Sequence, residues 1–306
     1  VPELLVVGSV ALDSVTTPFG TVREALGGSA TYFSYSASFF TGVRLVATVG
    51  DDFPQEHLQL LRARGVDLSG LQVSKGRTFR WAGEYGYDLN EAKTLDTQLN
   101  VFADFKPALA PEPRRVPYLF LANIDPVLQL NVLRQMAKRP KLVALDTMNF
   151  WIQGKREDLV RVLREVDVVT INDGEARQLA GEPNLIRAAR AIAGMGPKTV
   201  VVKRGEYGAL MLSAGAFFSA PAYPLDSVYD PTGAGDTFAG GFVGYLAAMD
   251  RVDAPTMRRA VIYGSVMASF TVEDFSLNRL ARLTSGEIAQ RYDAFQDLTR
   301  VEGSRA

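Results

Sequence analysis

Residues 142–202 read LVALDTMNFWIQGKREDLVRVLREVDVVTINDGEARQLAGEPNLIRAARAIAGMGPKTVVV. Short apolar runs punctuate this stretch at residues 142–145, 168–171 and 199–202. They are apolar at nearly every position, and continuous apolarity means burial on both faces, as in a parallel sheet. Between them lie helix patterns. Leu159, Val162, Leu163 and Val166 follow the i, i+3, i+4, i+7 rule. Asn184 is a good N-cap for a helix that runs towards Gly194 and ends there or at Gly196. The alternation of strand and helix predicts an open, doubly wound α/β sheet, mostly parallel and flanked by helices.

Working outward, residues 4–7, 44–49 and 118–121 read as further strands of the same kind. The segment 71–104 breaks the rhythm. It has no helix period and is rich in aromatics, including Phe79, Trp81, Tyr85 and Tyr87, with Arg80, Glu84 and Asp88 between them. It predicts several antiparallel strands outside the parallel core. These form either a flap over a site or an extra sheet edge or dimer surface. Pro107, Pro111, Pro113 and Pro117 mark the return to the core.

Composition removes several chemistries. The chain of 306 residues is 47% apolar and 22% charged, ordinary for a soluble globular protein. Lys plus Arg is 33 against 34 acids, so there is no basic excess of the kind a general nucleic-acid binder carries. Without cysteine there is no disulfide, thiolate metal site or Cys nucleophile. The single histidine, His57, excludes His-rich metal sites and argues against a Ser-His-Asp triad. Its neighbours Gln55, Glu56 and Leu58 suggest a surface helix on which it faces solvent or caps. Residues 1–7 lack the charged region of a signal peptide. The apolar run 238–249 is shorter than the ~20 residues a membrane span needs. A cytoplasmic protein is the expectation. The chemistry is left to carboxylates, hydroxyls, Lys, Arg and backbone dipoles.

Polar residues follow the strands: Gly8-Ser9, Gly50-Asp51-Asp52, Asn123, Asp146, Asn172 and Lys203. Ligands of open α/β sheets bind outside the carboxyl ends of the strands, so this set could line one crevice. The strongest local signal is Asp230-Pro231-Thr232-Gly233-Ala234-Gly235-Asp236-Thr237-Phe238-Ala239-Gly240-Gly241-Phe242. A turn leads into a glycine-flanked helix start. Gly233 and Gly235 let successive N–H groups point into one concavity, and the helix N-terminus adds partial positive charge. That is an anion hole for a phosphate or a transferring phosphoryl group. Asp236 is either a helix cap or a base taking a proton from a substrate hydroxyl. Spacing alone favours the cap. No Lys-Ser/Thr follows the glycines, so the loop is not a Walker A.

The signature 230–242 resembles the C-terminal signature of the ribokinase-like (PfkB) carbohydrate kinases. Gly27-Gly28 resembles that family's substrate-side glycine pair. Val49-Gly50-Asp51-Asp52-Phe53 through Leu58 and Gly65-Val66-Asp67 resembles another of its segments. Asn172-Asp173-Gly174-Glu175 resembles its Asn-x-x-Glu motif, and Lys203-Arg204-Gly205-Glu206-Tyr207-Gly208 its nucleotide-side Gly-x-x-Gly turn. The matches run in family order over almost the whole chain.

The resemblance implies a single ribokinase-like domain over residues 1–306, with a β-sheet lid at about 13–23 and 71–104. It implies an ATP-dependent kinase acting on a hydroxymethyl group of a sugar, a sugar-like acceptor or a nucleoside. Asp236 would be the general base, with anion-hole amides from Gly233, Ala234 and Gly235. Asp13, Gly27, Gly28, Tyr32 and Arg80 would face the substrate. Asn172, Glu175, Lys203, Gly205, Gly208 and Thr232 would face the nucleotide. Glu175 would act on Mg²⁺ through water, and Asp230 on a monovalent cation such as K⁺. In relatives the lid often forms a homodimer contact. There are departures. Tyr32 stands where many sugar-specific members have Asn. Asp146-Thr147-Met148-Asn149-Phe150 lacks the Arg of the Asp-x-Asn-x-Arg pattern. Tyr32 and the lid aromatics could stack on a base, which suits a nucleoside, or they could simply pack. A catalytically inactive ligand-binding relative is the reading from another class, and the intact Asp236 and Gly233–Gly235 argue against it. A nicotinamide dehydrogenase would need Gly-x-Gly-x-x-Gly after the first strand, which Gly8-Ser9-Val10-Ala11-Leu12 lacks.

Overall fold

In the computed structural model, which describes residues 3–300, β1 (Glu3–Val7) divides its side chains between two cores. Leu4 and Val6 join Phe33, Phe120 and Phe242 on one side. Leu5 and Val7 join Leu119, Leu121 and Leu145 on the other. This two-sided burial is what the continuous apolarity of the strands predicted.

The chain continues through β2 (Ala11–Thr17), β3 (Gly20–Gly27), α1 (Ser29–Ala37), β4 (Gly42–Gly50), α2 (Gln55–Ala63) and β5 (Asp67–Ser74). Next come β6 (Arg80–Tyr85), β7 (Ala92–Gln98), β8 (Tyr118–Leu121), α3 (Pro126–Gln135), β9 (Leu142–Asp146), α4 (Asn149–Gly154) and α5 (Arg156–Leu163). Then follow β10 (Val168–Asn172), α6 (Asp173–Ala180), α7 (Leu185–Ala193), β11 (Thr199–Lys203), β12 (Ala209–Ser213) and β13 (Ala216–Ala220). The last elements are α8 (Ala234–Met249), α9 (Ala254–Thr271), α10 (Asn278–Ala281) and α11 (Ser285–Thr299).

The nine-stranded sheet has the order β13-β12-β11-β10-β9-β8-β1-β4-β5. It is parallel from β5 to β11, and β12 and β13 are antiparallel. The chain winds outward from β1 in one direction and from β8 in the other. The carboxyl ends of β1 and β8 therefore flank a topological switch point, where α/β sheets open a crevice.

The helix patterns appear as expected. Leu159, Val162 and Leu163 are buried on α5, and Val166 is buried just beyond it. The Asn184 side chain accepts from the Arg187 N–H at 3.1 Å to start α7, which Gly194 ends. The apolar run 238–249 lies in α8, buried from Thr237 to Ala247. A Cβ on Gly240 would lie 2.5 Å from the Phe33 carbonyl oxygen, so α8 meets α1 at backbone distance. Among the described residues no helix is long and apolar enough to cross a membrane.

The small sheet has the order β3-β2-β6-β7. It differs from expectation in two ways. Its hairpins β2/β3 and β6/β7 are antiparallel, but β2 and β6 join them in parallel. Residues 71–74 do not belong to it, because β5 pairs in parallel with β4 as the edge of the large sheet. As the end strand of the sheet β5 is only partly buried, so its polar positions read like those of a separate sheet. His57 also differs. It is half-buried, its ring centroid lies 5.6 Å from that of Phe53, and its Nε2 is buried without a hydrogen bond. Burial holds its pKa below the usual histidine value, against the pull of Glu56.

Candidate active site

β9, β10 and β11 end side by side at Asp146, Asn172 and Lys203. Lys203 Nζ lies 2.6 Å from Asp146 Oδ2, and the Thr170 hydroxyl donates to the same oxygen at 2.6 Å. Burial works against the Lys203 ammonium. The carboxylates of Asp146, Glu175 and Asp236 outweigh it and hold the lysine above its usual pKa.

The signature turn sits opposite. Asp230 is 1% exposed, and its oxygens accept the Thr232 N–H at 2.9 Å and the Ser276 N–H at 3.4 Å. Burial raises its pKa against these bonds. Gly233 caps the start of α8 with φ 74° and no side-chain cap. An L-residue there would be strained, and a Cβ would lie 2.4 Å from the ring of Tyr32. The Ala234 N–H donates to the Pro231 carbonyl at 3.1 Å. Its expected place in the anion hole is corrected, since the turn has already used that amide. First-turn amides such as that of Gly235 have no acceptor within the helix itself.

Asp236 lies in the first turn of α8, and its carboxyl makes no hydrogen bond among the described residues. The capping alternative is not what the structure holds. Burial drives its pKa well above the usual carboxylate value, and Asp146, Asp13 and Glu175 add to that. Lys203 opposes them.

Asp13 is 6% exposed and accepts the Gly28 N–H at 3.3 Å. A Cβ on Gly27 would fall 1.9 Å from its Oδ2, so Asp13 lies directly against Gly27. Burial pushes its pKa up to about 7, with the Gly28 bond opposing and Asp230 adding. Tyr32 is buried, its ring packed beneath Gly233. Its hydroxyl pKa is driven up by burial first, then by Asp13, Asp230, Tyr85 and Asp236.

Arg80 does not face it. Its guanidinium pairs with Glu24 at 2.7 Å and Asp52 at 2.8 Å and donates to the Thr78 carbonyl at 3.0 Å. The substrate-facing assignment is corrected. Two acids and a carbonyl occupy Arg80, and it braces the small sheet against the end of β4.

Asn172 and Glu175 form a reciprocal capping box at the start of α6. Asn172 Oδ1 accepts the Glu175 N–H at 2.7 Å, and Glu175 Oε2 accepts the Asn172 N–H at 2.9 Å. Burial lifts Glu175 to about 7, Lys203 pulls it down and Asp146 pushes it up. Gly205 and Gly208 lie in the turn of the β11/β12 hairpin, where the Arg204 N–H donates to the Gly208 carbonyl at 2.8 Å. A Cβ on Gly205 would meet Asn90 Oδ1 at 2.5 Å, so the β6/β7 hairpin reaches the β11/β12 turn.

The small sheet contributes what motifs missed. Asp13 pairs with Trp81, and Val15 with Gly83, across the β2/β6 seam. The Trp81 ring lies across Gly83, within 2.2 Å of where a Cβ would be, and its Nε1 donates to the Thr94 hydroxyl at 3.3 Å. The Thr232 hydroxyl donates to the Tyr85 hydroxyl at 3.4 Å. Burial pushes Tyr85 up to about 12, against that bond. The period-two spacing of Trp81, Gly83 and Tyr85 was the available signal, but it needed the strand order to show which face is inward. A cavity of about 660 Å³ lined by Leu142, Val168, Arg190, Lys198, Leu212 and Met257 opens at the amino ends of the parallel strands, away from this cluster.

A profile described as pfkB family carbohydrate kinase matches residues 3–281. The cytidine kinase of Thermococcus kodakarensis is 34% identical over 250 residues, 79% of this chain and 87% of that protein. The nucleoside kinase of Burkholderia thailandensis, solved in complex with ADP-inosine, superposes with a TM-score of 0.78 at 19% identity, covering 99% and 98% of the two chains. The ribokinase of Thermotoga maritima superposes with a TM-score of 0.76 at 20% identity, covering 96% and 100%. Such identities speak for the fold alone.

Proposed function

The chain belongs to the pfkB family of carbohydrate kinases, phosphotransferases acting on sugar or nucleoside hydroxyls, and on that premise we propose that it phosphorylates the primary hydroxyl of a nucleoside with ATP. The observation that carries the nucleoside reading is the shared face of Asp13 and Trp81. A carboxylate that accepts sugar hydroxyls stands beside a flat indole, which offers a stacking platform to a planar base. The 34% identical relative is named a cytidine kinase, which agrees with that choice.

Asp236 accepts the proton of the acceptor hydroxyl. The oxygen forms a bond to the γ-phosphorus, the bond to the β–γ bridging oxygen breaks, and its electron pair leaves on ADP. Amides of Gly233 and Gly235 at the α8 N-terminus offset the charge on the transferring group. Asn172, Glu175, Lys203, Gly205, Gly208 and Thr232 hold the nucleotide. Among the described residues no group of three His, Cys, Asp or Glu forms a metal cage, so the donor set suits Mg²⁺ carried on phosphates, with Glu175 as a ligand through water. The ion would neutralise phosphate charge. Asp230, buried with backbone donors and no ion-pair partner among the described residues, fits a monovalent cation such as K⁺. The small sheet acts as the lid. The fully exposed β7 is an open edge that suits pairing with a second copy. A chain without cysteine suits a reducing cytoplasm.

An ATP-consumption assay with cytidine, inosine, adenosine, ribose and fructose tests the reading. A nucleoside should give the highest kcat/KM. Trp81→Ala should cost the nucleoside about 10-fold, given ~1–3 kcal/mol per stacked base. Ribose or fructose as the best acceptor would overturn the nucleoside assignment. Asp236→Asn should lower kcat by roughly 10²–10⁴-fold.

A further inference from the structure

Ser276 lies in the turn between α9 and α10 with φ 55°. Among the described residues six non-glycines have positive φ, and Ser276 alone of them is buried. A side chain in the left-handed region is strained, and such a residue persists only where its surroundings hold it there. Here the hold comes from two directions. The Ser276 hydroxyl donates to the Leu26 carbonyl at 2.5 Å, and the Ser276 N–H donates to Asp230 Oδ2 at 3.4 Å.

The two partners come from different parts of the site. Leu26 lies on β3, and its carbonyl belongs to the peptide that enters Gly27, against which Asp13 packs. Asp230 lies in the turn that opens α8, and its Oδ1 accepts the Thr232 N–H at 2.9 Å, one residue before Gly233. A continuous chain of hydrogen bonds therefore runs from Leu26 through Ser276 and Asp230 to Thr232. The far end of β3 rests on the same segments. A Cβ on Gly20 would lie 3.4 Å from the Phe275 ring, and the Phe19 ring meets that of Tyr229 edge-on at 5.8 Å.

We propose that Ser276 is a positioning residue for phosphoryl transfer, which holds Leu26 and Asp230 together and so fixes the spacing between the acceptor hydroxyl and the phosphorus. It touches neither reactant. The inference rests on the proposed placement of the acceptor beside Asp13 and Gly27, and of the phosphoryl group at the start of α8. In-line transfer depends on that spacing, and a misplacement of ~1 Å can cost ~100-fold in rate.

The test compares wild type, Ser276→Ala and Ser276→Gly in thermal unfolding and in steady-state kinetics with ATP and the best nucleoside of the panel. Both variants lose the hydroxyl, but glycine takes φ 55° without strain. Ser276→Gly should therefore melt above Ser276→Ala, and it keeps a folded variant in hand if alanine fails to fold. In both, kcat should fall about 10-fold or more, with each KM within about 3-fold of wild type, as for an interaction that matters in the transition state. Wild-type kcat in folded Ser276→Gly would overturn the inference and leave the hydroxyl a support for the turn. A raised nucleoside KM at unchanged kcat would also overturn it, since Ser276 would then shape the acceptor side alone. Wild-type turnover in Asp236→Asn would instead sink the assignment of the base.

Discussion

The hydroxyl of Thr232, in the turn that opens α8, donates to the hydroxyl of Tyr85 on the small sheet across 3.4 Å. It ties the small sheet to the glycine-flanked turn that opens α8. Tyr85→Phe and Thr232→Val should each lower kcat/KM for the nucleoside by about 2- to 10-fold, the range of one hydrogen bond. The double variant should be no worse than the weaker single one, because both remove the same contact. Additive losses in steady-state kinetics would mean that the residues act independently.

Gly233 cannot be replaced without moving the site. Its φ of 74° disfavours a side chain, and a Cβ would enter the Tyr32 ring at 2.4 Å. Gly233→Ala should lose about 2–4 kcal/mol of stability from left-handed strain plus overpacking. Pairing it with Tyr32→Leu should recover part of that loss in denaturant unfolding. No recovery would show that the clash is not with Tyr32.

Arg80 holds Glu24 and Asp52 together, so its loss should be felt before any ligand binds. Arg80→Ala should destabilise the free protein by about 1–2 kcal/mol, discounted for the solvent reached by Glu24 and Asp52. The nucleoside KM should rise more than kcat falls. An unchanged melting temperature with a raised KM would restore the substrate-facing assignment.

Asp13 carries a pH-dependent cost. Burial lifts its carboxyl pKa from 3.8 to about 7, so the folded protein binds this proton more tightly than the unfolded chain does. The associated stability is complete below the unfolded value and is lost as pH rises through about 7. Asp13→Asn should therefore gain stability over wild type at pH ~9. The gap should narrow by about 2–3 kcal/mol at pH ~5, at roughly 1.4 kcal/mol per pH unit. Urea unfolding at both pH values measures it, and a gap that does not change with pH would refute the burial argument. The nucleoside KM of wild type should fall as pH rises through the same range, since the ionised carboxylate is the better acceptor.

Much of the architecture was legible because its signals are local. Two-sided burial writes itself into β1, β9, β10 and β11 as nearly continuous apolar runs, and Asn184 announces its helix through its own capping bond. The start of α8 is likewise written in consecutive residues, since glycine and proline act on the backbone where they stand. The strand-end residues Asp146, Asn172 and Lys203 could be placed in one crevice because parallel strands end on the same side.

Partnership was a different matter. Arg80 could be read as a substrate ligand until the fold set it between Glu24 and Asp52. Residues 71–74 could be read as lid until β5 paired with β4. Trp81 came to share a face with Asp13 only when β2 and β6 paired. Lys203 met Asp146 only because β9, β10 and β11 are neighbours. By itself the sequence determined the α/β sheet, its polar rim and the glycine-flanked turn that opens α8, since these follow from period and turn chemistry along the chain. Only the tertiary structure decided which charges meet and which faces look inward. Those depend on strand order and register, where small shifts exchange one partner or one face for another.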